Sequence, residues 1–224
     1  YLPEAIFFFL IIVAIIGLID ADEARRLFSL KTLDGWTLLL TFLITLLVNV
    51  ETGIITGMVF SLLVFIWRSS HPHTAELGYI AEDYIFRNIE RYPEAVRFPK
   101  VLIFRIDSSL YFANAKFFED KIQNRILQRT GLTTIILDLS GVNDMDAMAV
   151  DTLEKLMETY AEQGIKFFYA RMKGPVRDLI KKADWYKKYH RKLLYPTIQD
   201  ILNNLGHLTS CPSCQQPLKI NDSE

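Results

Sequence analysis

Cysteine is nearly absent. Only Cys211 and Cys214 occur in 224 residues, which excludes a fold stapled by a disulfide framework. An excess of either charge is also missing: 25 Lys and Arg face 26 Asp and Glu, and the net charge of −1 argues against a nucleic-acid-binding protein. The chain opens on Tyr1 with apolar sequence at once, and lacks the basic segment, short apolar core and small-residue cleavage site of a signal peptide. It reads as the interior of a larger protein. Long internal repeats, a phosphate-binding loop, a dinucleotide fingerprint and a nucleophile–base pairing are all missing, so no enzyme is expected.

What the chain does have is a division. Mean hydropathy is +0.17, high for a soluble domain and low for a pure membrane bundle. Residues 1–68 hold only four basic side chains (Arg25, Arg26, Lys31, Arg68) and six acidic ones (Glu4, Asp20, Asp22, Glu23, Asp34, Glu51), whereas the remainder has ordinary globular charge density. A membrane part joined to a soluble part accounts for this.

Ala5–Ile19 is an uncharged run that, extended back to Leu2, approaches the roughly 20 helical residues needed to cross a bilayer; a buried core helix of a soluble protein is the alternative. Gly35–Trp67 contains one charge, Glu51, and is too long for one span; Asn49, Glu51, Thr52 and Gly53 divide it into a hairpin of two short spans. The basic residues place a 20–34 loop and the soluble part in the cytoplasm, with Tyr1 and the Glu51 turn outside. Trp36 and Trp67 fall at interfacial positions. Glu51 is either a gate-hairpin functional acid or a turn acid capping the next helix at Gly53. Gly53 and Gly57 have the spacing that permits close helix contact.

Beyond Ser69 the pattern is α/β. Strands are expected at Gly78–Ile85, Val101–Ile106, Thr133–Leu139 and Ile165–Ala170, with Leu110–Phe112 as a short candidate. Asn114 can cap a helix running to about Thr130, in which Phe117, Phe118, Ile122 and Ile126 form an apolar stripe. A second helix, Asp146–Gln163, presents Val150, Leu153, Leu156, Met157 and Tyr160 on one face and stops at Gly164. Pro175 opens a third and Thr197–Leu205 forms the last. Strands alternating with helices predict a mainly parallel sheet with helices packed on it.

The order of GLIDADEARRLF, NVETGIITG, ELG at 76–78, SLYFANA at 109–115 and LDLSGVNDMDAMAVDTL at 137–153 resembles the C-terminal third of the SulP anion permeases. The soluble part is similar to their cytoplasmic STAS domain, itself similar to anti-sigma-factor antagonists. The resemblance implies three gate-domain spans (residues 1–68), a STAS domain (69–206) and a tail (207–224). It implies a multi-pass protein of the cell (inner) membrane, in contact with lipid, whose remaining spans precede Tyr1. The parent would be a secondary transporter of sulfate or a related anion, its STAS part regulating it and supporting a homodimer. The anion-binding helices of the family lie outside this chain, so no substrate-binding residue is assigned, and no cofactor is implied. A membrane-tethered STAS protein that binds partners without transport is the alternative.

In the antagonists the loop before the second helix reads Asp-Ser/Thr-Ser-Gly, and its second hydroxyl is phosphorylated. The matching residues here are Asp146, Ala147, Met148 and Ala149, which offer no hydroxyl to phosphorylate. With Asp144, this degenerate loop is left as a constitutive docking surface. Asp144, Asp146 and Asp151 can be read as metal ligands or as acids favoured at a helix N-terminus. His207, Cys211 and Cys214 form half of a zinc-ribbon pattern or free thiols. Arg171–Lys192 is rich in Lys and Arg, either a solvated face or a lipid-attracting one. His71 and His73 flank Pro72 with little to suggest a metal role.

Overall fold

The computed structural model describes residues 6, 8–10, 13, 21–189 and 194–206. The chain forms two compact units, residues 1–68 and 69–224. Most of the expected Ala5–Ile19 span, and the whole of the His207, Cys211 and Cys214 tail, lie outside the described residues.

In the first unit, helix α1 (Ala21–Leu30) occupies most of the expected 20–34 loop, and α2 (Thr32–Leu47) and α3 (Val50–Ser70) follow. The break between the last two falls where Asn49 and its neighbours interrupt the apolar run. Asn49, not Glu51, supplies the cap: its side-chain oxygen accepts from the Thr52 amide at 2.7 Å. Glu51 is exposed in the first turn of α3, where the helix dipole favours an acid. Gly53 is buried because a Cβ there would collide with Thr45, and Gly57 meets Thr41 in the same way. The small residues thus set the approach of α2 and α3. Arg68 at the far end of α3 donates to Asp34 in the first turn of α2 at 2.9 Å. Among the described residues, α3 alone is long and apolar enough to cross a membrane; α2 is apolar but shorter.

The second unit is built on a six-stranded sheet of β1 (Thr74–Ile80), β2 (Ile85–Asn88), β3 (Val101–Ile106), β4 (Thr134–Asp138), β5 (Lys166–Ala170) and β6 (Leu194–Tyr195), in the order β2-β1-β3-β4-β5-β6. It is mixed: the β3-β4-β5-β6 part is parallel, as expected, while β1 runs antiparallel to both β2 and β3. The expected Gly78–Ile85 strand is in fact the end of β1, a turn through Tyr84 at φ 55°, and the start of β2. Apolar residues flank the hairpin on both sides, and the Glu82–Asp83 pair is where the chain bends. The Leu110–Phe112 strand reduces to one bridge from Leu110 to Met145.

Helices α4 (Phe112–Leu127), α5 (Ala147–Ala161), α6 (Gly174–Lys182) and α7 (Trp185–Tyr189) bury their apolar residues on one sheet face; α8 (Ile198–Asn204) covers the other. Strand β3 shows why both faces are filled. Leu102, Phe104 and Ile106 join Phe118, Ile122 and Leu153 on one side, while Val101 and Ile103 join Ile198 and Ile201 on the other. Asn114 is not the cap of α4: it lies in the third helical position and returns its side chain to the Tyr111 amide at 2.9 Å. Gly164, at φ 79°, ends the turn after α5. Helix α7 is tied to α5 by Lys188, which donates to both Glu154 and Glu158, and by the Tyr189 hydroxyl, which lies within hydrogen-bond distance of both carboxylates and has one proton to give. Lys188, then Tyr189, hold the Glu158 carboxyl below its usual range.

Candidate functional site

The loop from β4 to α5 carries the residues that the sequence singles out. Strand β4 ends at Asp138, and the chain crosses to α5 through Gly141, where a Cβ would press on the Ile106 carbonyl and lie 2.7 Å from the Asp107 Cα. Only glycine permits this approach. The loop then pairs with the segment preceding α4: the Leu110 amide donates to the Asp144 carbonyl, and the Asp146 amide donates to the Leu110 carbonyl, both at 3.1 Å. Met145 between them is buried.

Asp146 caps two helices. One carboxylate oxygen accepts from the Ala149 amide of α5 at 2.8 Å, and the other accepts from the Phe112 amide of α4 at 2.8 Å. Both helix N-termini place unpaired donors and positive dipole ends here, so one acid satisfies both. The sequence pattern gave the first of these bonds; the second joins residues 34 apart and had no local signal. Asp144 turns its carboxylate back to the Met145 amide at 2.9 Å. Among the described residues no three His, Cys, Asp or Glu side chains gather to hold a metal ion; Asp146 lies at the N-terminus of α5, and Asp151 is exposed within that helix.

Around the capped junction two apolar side chains are presented outward: Phe112 is 73% exposed and Met148 58%. Ala147 is exposed beside them, whereas Ala149 is buried. The nearby hydroxyls are otherwise engaged or half-buried. Thr152 donates to the Met148 carbonyl at 2.8 Å, and Ser140 sits on the turn in which its amide donates to Asp138 at 3.1 Å. The loop is therefore a shaped, acidic and apolar surface with no hydroxyl at the positions matching the phosphorylation motif.

Two charge clusters escaped the sequence reading. Asp138, fully buried at the end of β4, is gripped by Arg171, whose Nε donates at 2.9 Å and whose second nitrogen also bonds the carboxylate. Arg171 holds a left-handed φ of 57°. Glu76, 3% exposed in β1, meets Arg97, Arg125 and Arg129. Both join charges far apart in sequence, invisible to spacing rules. Further toward the start of the unit, Asp107 accepts from Arg105 Nε at 2.6 Å and lies 2.8 Å from His73 Nδ1. Burial works against its ionisation, but the hydrogen bonds from Arg105 and His73 and their charges prevail, holding Asp107 below the usual carboxylate range.

Residues 92–201 match the STAS domain family. Over 215 residues the chain is 29% identical to a protein named probable sulfate transporter 3.4 of Arabidopsis thaliana, covering 92% of this chain and 33% of that one. It is 30% identical over 210 residues to sulfate transporter 4.1, chloroplastic, of the same plant, covering 89% of this chain and 31% of the relative. The chain thus spans about a third of the length of these relatives. Among solved structures, the murine solute carrier 26 family member A9 anion transporter in its inward-facing state superimposes with a TM-score of 0.73 at 26% identity, covering 81% of this chain and 30% of that one. An α/β unit with the STAS motif order, continuous with an apolar helical unit, is matched in these transporters as one stretch. The chain belongs to the SulP/solute carrier 26 family, of which it carries the STAS region.

Proposed function

We propose that the chain is the C-terminal part of a secondary anion transporter of the sulfate-permease type, with gate-domain helices followed by a cytoplasmic STAS domain that regulates transport and supports a homodimer. The observation that carries this reading is the extent of the similarity: relatives named as sulfate transporters match across both units, not across the STAS fold alone. The anion crosses elsewhere in the parent, and the part in hand serves the gate and its control. Three membrane spans, with Glu51 outside and α1 and the STAS domain inside, complete the reading.

Expression of the complete reading frame in cells deficient in sulfate uptake tests transport. Saturable uptake supports the proposal, and a membrane-inserted protein without uptake of sulfate or a related anion overturns it. The 224-residue chain reconstituted alone is expected to carry no flux above empty liposomes. Orientation has its own test, in which cysteines placed at Glu51 and Ala75 are labelled by an impermeant reagent. Labelling of position 51 from outside is expected; labelling of 75 and not 51 reverses the topology.

The β4–α5 loop, in this reading, contacts its partner by shape and fixed charge and without a phosphorylation cycle. Phosphopeptide mapping of the native protein is expected to find no stoichiometric phosphate on Ser140 or Thr152 that alters flux. Finding one would move the switch to that hydroxyl.

A further inference from the structure

Helix α6 buries Val176 and Ile180, packs Leu179 against the same core, and exposes the other residues along its length. Lys173 at its N-cap, Arg177 and Lys181 recur every four residues, so they share one exposed stripe about 12 Å long at 1.5 Å rise per residue. Lys182 stands beside its end.

This arrangement runs against the helix's own preferences. Like charges four residues apart repel, and Lys173 adds a cation at the positive end of the dipole. The last-turn lysines suit the dipole, but Lys173 and Arg177 gain nothing from it. Nor do neighbouring acids neutralise the stripe. Lys173 donates only to the neutral Asn143 side chain at 2.5 Å, and Arg177 to the Met172 carbonyl at 3.0 Å. Lys181 and Lys182 make no side-chain ion pair among the described residues. Arg171, Lys187 and Lys188 are spent on Asp138, Asp184 and the Glu154–Glu158 pair. Asp178 is the single acid within residues 173–182, which leaves four cations against it.

We infer that this stripe is an attachment face for an anionic phospholipid surface. The inference rests on the membrane reading proposed above and adds the face and the lipid chemistry. Three observations favour a bilayer as occupant. The cations are strung along the outside of a helix, matching a diffuse sheet of charge. Only residues 71–73 separate the membrane-length helix α3 from β1, so the domain is held by a short tether. Finally, Lys and Arg carry long apolar stems that suit an interface. Each basic residue engaged by such a surface strengthens attachment about fivefold.

The test uses the full chain in lipid nanodiscs of phosphatidylcholine, with or without phosphatidylserine, and follows hydrogen exchange of the peptide containing α6. Exchange is expected to slow several-fold with phosphatidylserine, to recover in high salt, and to show no lipid dependence in a Lys173→Gln/Arg177→Gln/Lys181→Gln variant. Exchange in β4 reports that the variant is folded and should not move. Equal α6 exchange in both lipids overturns the inference, as does protection that persists in the variant or that appears only on adding an acidic polypeptide. The labelling of positions 51 and 75 reads the membrane tether independently, so failure of one is distinguishable from failure of the other.

Discussion

The two units treat large apolar residues in opposite ways. In α2 and α3 they face outward, Leu47 at 81% exposure, with Phe65 and Leu63 also exposed, and the glycines Gly35 and Gly53 are the buried residues. In the STAS unit Phe104, Phe118, Ile135 and Tyr169 are sealed between sheet and helices. The same residue types are therefore used in two ways. One unit makes its own apolar interior, while the other presents an apolar exterior and brings helices together through small residues, as expected where lipid supplies no hydrophobic drive between helices.

The sharpest test of that contrast is one substitution made in both places. Phe104→Ala is expected to destabilise the STAS unit by about 3–5 kcal/mol, read by thermal unfolding of the chain in detergent. Phe65→Ala should leave that transition unmoved. An equal loss at both positions would break the distinction. Next in size is Gly53→Val, which forces a side chain into Thr45; overpacking of this kind costs about 1–3 kcal/mol. Disulfide trapping between α2 and α3 should fall while STAS unfolding is unchanged.

Asp146→Ala releases two helix caps at once and is expected to cost about 1–2 kcal/mol in the STAS transition, with Asp146→Asn retaining more of it. The smallest effect is a pH slope. Because the folded Asp107 carboxyl titrates below its ordinary 3.8, its contribution is present above that pH and is lost as the pH falls through the depressed value. Acid unfolding of the Asp107→Asn variant should show a shallower pH slope there, with lower stability but an unchanged slope near neutrality.

Much of the STAS fold was legible because its signals are local. The TTIILDL run, the apolar face of α5, Pro175 in the first turn of α6 and the Thr197 cap act within a few residues. The bend between β1 and β2 was not legible, since no Gly or Pro marks the turn at 81–84 and only the Glu82–Asp83 pair interrupts the flanking apolar residues. Strand β6 and helix α7 were too short to show a period. At the loop, the capping role of Asp146 toward α5 followed from its position. Its bond to Phe112, and the grip of Arg171 on Asp138, depend on the sheet bringing distant segments together. Likewise the sequence offers Glu51 as a gate acid or as a cap, whereas Asn49, two residues earlier, has the side chain that reaches the Thr52 amide.

The double cap at Asp146 also has a consequence in time. Two amides, at the heads of helices separated by a full strand and turn in sequence, are shielded by one carboxylate. They should open to water together, since rotation of that single side chain exposes both. A partner pressing on Phe112 or Met148 thus acts on a shared hinge pin, and loosening at the head of one helix is felt at once at the head of the other.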